Sequence, residues 1–102
     1  MTYKNETDKA EAIRFAQDLI SEAKIRLEAC YAHTDGINDA LTDMINCFNK
    51  LGVDRNDPTR TIAVESLEGS RNRSMRLETE WQKRVNVRRD MLSQIKARPI
   101  AD

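Results

Sequence analysis

At 102 residues the chain is one domain by length, and with 39% hydrophobic and 5% aromatic residues against 33% charged it has little material for a core. Three Gly and two Pro are too few for a turn-rich β fold, which leaves helices. Seventeen Lys and Arg cancel seventeen Asp and Glu, which argues against gripping nucleic acid or a membrane by bulk charge.

Asn5 or Thr7 can cap a first helix, with Asp8 and Glu11 near the positive end of its dipole. From Ile13 to Leu51 an apolar or small residue then recurs at alternating steps of three and four: Ile13, Ala16, Ile20, Ala23, Leu27, Cys30, Thr34, Ile37, Leu41, Met44, Phe48 and Leu51. A spacing that averages 3.5 residues keeps one seam turned toward a partner helix along its whole length. Its weak point is Thr34-Asp35-Gly36, three residues of low helix propensity. A break at 34–36 would make three helices, but the spacing passes through Thr34 and Ile37 in phase, so the expectation is one helix over about 7–51. Gly52 can take the left-handed conformation that ends it, with Val53 placed for a contact back to Phe48.

Asp54-Arg55-Asn56-Asp57-Pro58 reads as a loop and as a start signal, with Asp57 at the N-cap and Pro58 in the first turn. A second helix over 58–97 follows, because Pro99 disfavours helical geometry at Arg98. Its stripe of Val64, Leu67, Leu77, Trp81, Val85, Leu92 and Ile95 is interrupted by Gly69, Ser70 and Ser74, and Arg88 falls on its line. Folding the chain about residues 54–57 sets Gly69 and Ser70 level with Leu41 and Met44, and Trp81 level with Cys30 and Tyr31, so that large faces small. The tail Ile100-Ala101-Asp102 is expected to fray.

The fold expected is all-α, a long antiparallel helical hairpin forming a single domain over 1–102: an acidic heptad helix (5–51), a turn (52–57), a basic helix (58–97) and a tail (98–102). Ala12, Leu19, Ala40 and Cys47 on one flank of the first seam, and Tyr31 and Ile45 on the other, give it more apolar width than one neighbour covers. That width predicts a four-helix bundle completed by homodimerisation, or docking on a helical protein partner. Leu19, Leu27, Leu41, Met44, Phe48, Trp81, Val85 and Leu92 are the residues expected in the core seam or the self-association surface.

The zero net charge is unevenly distributed. Residues 1–57 hold seven Lys and Arg against eleven Asp and Glu, a net −4, and residues 58–102 hold ten against six, a net +4. On the first helix Glu11, Asp18, Glu22, Glu28, Asp35, Asp39 and Asp43 form an outward, solvated face. On the second, Arg73, Arg76, Lys83 and Arg84 share a flank that could meet a partner or phosphates, and a nucleic-acid-associated regulator is the alternative to a protein-binding module. Glu80 sits among them, and no aromatic accompanies them for base stacking.

Cys30 and Cys47 are about 25 Å apart if both lie on one helix, so free thiols are expected. Cys30 and His33 lack a second ligand pair, and no phosphate loop, nucleophilic triad or carboxylate pair stands out, so no metal, cofactor or catalytic set is expected. No apolar run approaches the roughly 18 residues a membrane span needs, and MTYKNETDK lacks a signal-peptide core, so a cytoplasmic location is expected. Arg26 and His33, in R-x6-H spacing, resemble the pair that acts on RNA in helical HEPN ribonucleases, which would imply a ribonuclease as a third reading. Asn56-Asp57-Pro58 with Val85-Asn86-Val87, Met91-Leu92 and Ile95-Lys96 loosely resembles the needle subunits of type III secretion systems, which are small helical hairpins. Here the stretch from turn to Val85 is longer and the second helix more basic, so no residue role is carried over. The function expected is non-catalytic protein binding in fixed stoichiometry, as an adaptor, an assembly subunit or a small inhibitor of the kind phages and mobile elements encode.

Overall fold

The structure, a computed structural model, describes residues 2–101. Two helices, α1 (Glu6–Lys50) and α2 (Pro58–Ala97), form a helical hairpin, and among the described residues there is no strand. Asn5, not Thr7, caps α1: its Oδ1 accepts the Asp8 N–H at 2.9 Å and its carbonyl accepts the Lys9 N–H at 3.3 Å. The three-helix alternative is not realised, since α1 runs unbroken through residues 34–36. Thr34, buried on the seam, donates its hydroxyl to the Cys30 carbonyl one turn back at 3.0 Å, so its polar group is satisfied inside the helix.

The turn follows the expected chemistry. Gly52 adopts φ 70° and donates its N–H to Asn49 O at 3.2 Å, while Val53 N–H reaches Phe48 O at 3.0 Å. These are the two bonds of a Schellman end, which satisfy carbonyls that the helix leaves open. Asp54 Oδ1 accepts Asn56 N–H at 2.8 Å, and Asp57 Oδ1 accepts Thr59 N–H at 2.9 Å, capping α2 with Pro58 in its first turn.

The chain divides into two compact units, Met1–Leu27 with Thr79–Asp102, and Glu28–Glu78. In the first, Ala23, Leu27 and Val85 form a core cluster on which Trp81 packs, with Ala16 and Ile20 also buried. Trp81, which folding about residues 54–57 would set level with Cys30 and Tyr31, packs on the cluster of Ala23, Leu27 and Val85. Tyr31 is exposed. Arg88 Nη1 donates to Leu19 O at 2.6 Å, so an arginine on the inward line ends on a backbone acceptor. Lys9 Nζ donates to Lys96 O at 2.9 Å and Arg98 O at 2.6 Å, capping the closing carbonyls of α2.

Ile100 and Ala101 are not frayed. Tyr3 N–H donates to Pro99 O at 3.1 Å and Ala101 N–H to Tyr3 O at 2.7 Å, an isolated parallel bridge between Tyr3 and Ile100. Extended backbone on both sides gives these groups partners that a free tail would seek in water. Asp102 lies outside the described residues.

In the second unit Ile37 and Leu41 are buried and Met44 and Phe48 half-buried. The Thr34 and Ser74 hydroxyls meet at 2.7 Å, and Ser74 Oγ is 3.4 Å from Cys30 O. Arg60, 8% exposed, donates Nη1 to Val53 O at 2.9 Å and lies over the Phe48 ring at 5.8 Å, tying α2 to the end of α1.

Burial shows that α2 is as regular as α1. Arg60, Val64, Leu67, Arg71, Ser74, Glu78, Trp81, Val85, Arg88, Leu92 and Ile95 recur in steps of four and three, and every one is buried or half-buried. Leu77, counted into the stripe from its apolarity, is off this line and 47% exposed. Gly69 is off it too: a Cβ added there would meet Arg73 Nη1 at 3.6 Å, ordinary contact, so this glycine does not mark a close helix approach.

The buried hydroxyl pair supplies a test. Ser74→Ala should cost about 1 kcal/mol while Thr34 keeps its bond to Cys30 O, and in a Thr34→Val background it should cost less, because the contact between the hydroxyls is already gone. A double-mutant cycle by urea unfolding should give a coupling of about 1 kcal/mol, and additivity within error would remove the pair from the account.

Candidate functional site

The sequence expectations divide between the units. In the first, Leu27 and Val85 are in the core, Trp81 packs on it, and Leu19 and Leu92 are half-buried. In the second, Leu41 is buried while Met44 and Phe48 keep part of their surface. Leu51, the last seam residue, is 72% exposed, because the Schellman turn carries the chain away from the seam there. Arg73 and Arg76 belong to the second unit, Lys83 and Arg84 to the first, and all four are exposed.

The most developed surface feature of the first unit surrounds the chain's one tryptophan. Arg84, one turn on along α2, stacks over the Trp81 ring at 4.3 Å, and Arg26 of α1 lies over it at 5.3 Å. Glu22 pairs with Arg26 at 3.4 Å, an exposed (i, i+4) bond worth little stability, and it holds the guanidinium in place. Stacking uses the faces of the guanidinium groups and leaves their N–H edges for an anion or carboxylate. The Trp81–Arg84 spacing was readable in the sequence, whereas Arg26 joins only through the pairing of α1 with α2.

In the same unit Phe15 is 64% and Val87 66% exposed, and Leu19 and Met91 are half-buried. In the second unit Tyr31, Met75 and Leu77 are exposed, and Arg73 Nη2 bends back to Ser70 Oγ at 3.1 Å. A cavity of about 310 Å³ beside the turn is lined by Ile45, Arg55, Arg60, Thr61, Val64, Glu65 and Glu68. Two arginines and two glutamates balance its charge, and Arg60 is already engaged.

His33 is exposed on α1, and Arg26, its companion in the R-x6-H spacing, is held by Glu22 and Trp81. Cys30 is half-buried and Cys47 exposed, both free. Among the described residues no group of three or more His, Cys, Asp or Glu could hold a metal ion, and no helix is long and apolar enough to cross a membrane. Comparison with protein-family models, characterised proteins and solved structures gives no match.

Because Trp81 is the only tryptophan, its fluorescence reports on the cluster. Arg84→Ala should open the indole to water, shifting emission to longer wavelength, and should cost about 0.5–1 kcal/mol in urea unfolding. Unchanged emission would show that the stacking is absent in solution.

Proposed function

We propose that the chain is a non-catalytic protein-binding module that acts in fixed stoichiometry, as an adaptor, an assembly subunit or a small inhibitor. The observation that supports this is the balance of its apolar surface. Among the described residues Val85 is the largest side chain buried completely, while Phe15, Ile25, Ile62 and Val87 are each more than 60% exposed. A two-helix fold cannot cover that surface itself, and a partner that covers it gains the hydrophobic stabilisation the isolated chain forgoes.

The rival reading is a nucleic-acid-associated protein working through Arg73, Arg76, Lys83 and Arg84. It is the weaker because Arg73 bends back to Ser70 and Glu80 sits among the four in the sequence. Binding to DNA that falls steeply with salt and weakens in Arg73→Ala/Arg76→Ala would favour it.

Affinity purification from the source cells, with partners weighed by native mass spectrometry, should yield a complex of fixed ratio. Phe15→Glu or Leu77→Glu should release the partner with helix content by circular dichroism unchanged. Cleavage of RNA by the clean protein, lost in His33→Ala, would replace the binding reading with the enzymatic one.

A further inference from the structure

We propose that Trp81, Arg26 and Arg84 form a binding site for a phosphate monoester, held between the two guanidinium groups. Such a site works whether or not a protein docks on the chain, and so stands apart from the binding reading above. All of its parts belong to one unit, Met1–Leu27 with Thr79–Asp102. α2 brings Arg84 over the indole, its Cζ 4.3 Å from the ring centroid, and α1 brings Arg26, its Cζ 5.3 Å away. The two Cζ atoms are therefore no farther apart than the sum of those distances. A phosphate that accepts N–H bonds of about 2.8 Å on different corners spans groups so placed.

Stacking sets two like charges on one indole, and a single carboxylate answers them. Glu22 meets Arg26 at Nε, 3.4 Å away, and among the described residues neither guanidinium makes another ion pair or hydrogen bond. Glu80, one turn before Arg84 on α2, is not within ion-pair distance of it. The Nη groups of Arg26 and every side-chain nitrogen of Arg84 thus keep their donors. Arg84 is exposed and the Arg26 side chain is 58% exposed, so these donors are open to solvent. Ring stacking uses only the flat faces, and it fixes the planes in which the donors lie, which lowers the cost of ordering them around a ligand.

The donor set selects a phosphate over a carboxylate. A carboxylate has two oxygens in one plane and suits one guanidinium, and Glu22 already supplies one to Arg26. A phosphate monoester carries three terminal oxygens set tetrahedrally and about two negative charges at neutral pH, so two guanidinium groups can share it and balance it. The charge of the surrounding unit points the same way. Residues 1–27 and 79–102 together hold eleven Lys and Arg against eight Asp and Glu, whereas residues 28–78 hold six against nine. The unit that contains the cluster is the cationic one, so its field draws anions toward the ring.

Trp81 is the only tryptophan, so its emission reads the site directly. Titration of the full chain at constant ionic strength, with inorganic phosphate or with a short neutral peptide carrying phosphoserine, should change that emission saturably. Tighter saturation by the phosphopeptide assigns the site to a modified side chain of another protein, and equal saturation assigns it to free phosphate; either result upholds the site. Arg26→Gln and Arg84→Gln should each raise the half-saturating concentration by about tenfold or more. Glu22→Gln, which removes the internal competitor for Arg26, should lower it by about two- to fivefold, a gain that a folding defect would not produce. Arg73→Gln, in the other unit, should leave it unchanged. Calorimetry on the same solutions registers binding to which the emission is silent. No saturation by either probe in either measurement, acetate saturating as tightly as phosphate, or saturation unaltered in Arg26→Gln and Arg84→Gln overturns the proposal.

Discussion

Two helices that must satisfy each other can each bury only a narrow line of side chains, and the rest of the structure follows from that limit. Along α1 the line is written in Ala, Ile and Leu, with Ala16 and Ala23 completely buried. Along α2 the same line carries Arg60, Arg71, Ser74, Glu78 and Arg88 among its apolar members. A core so narrow has little area to spare for hydrophobic gain, which is why one Val and one half-buried Trp matter so much in it.

Polar residues on a buried line are tolerated where their polar atoms have partners. Arg60 and Arg88 use long stems to lie along the interface and end on the carbonyls of Val53 and Leu19. Ser74 and Thr34 answer each other, and the buried side-chain nitrogens and oxygens of the described residues all have partners. Such contacts add little net stability, but sliding α2 by one turn would leave each polar group facing hydrocarbon. The apolar side chains favour pairing, and the polar ones choose the register.

The fold was legible wherever a residue type has one dominant local use. Asn5, Gly52, Asp57 and Pro58 begin or end helices through bonds to their own backbone neighbourhood, and the α1 seam is apolar enough to see. The α2 line was hidden because burial there does not follow hydrophobicity: Ser74 is inside and Leu77 outside. That Trp81 packs on the cluster of Ala23, Leu27 and Val85 is a long-range choice that local spacing leaves open. Of the candidate surface, Arg84 and Leu19 were visible as residues, but the joining of Arg26 to Trp81 and the exposure of Phe15 and Val87 needed the folded chain.

Helices ordinarily loosen from their ends, one terminus at a time. Here the start of α1 and the finish of α2 are joined by Tyr3, Pro99 and Ala101 and by the two bonds of Lys9. Neither end can peel without releasing the other, so the loss of order at the tip is a single cooperative event. Hydrogen exchange at Tyr3, Lys9 and Ala101 then shares one opening rate, and thermal fraying of this end registers as a step where a free helix end would show a gradual slope.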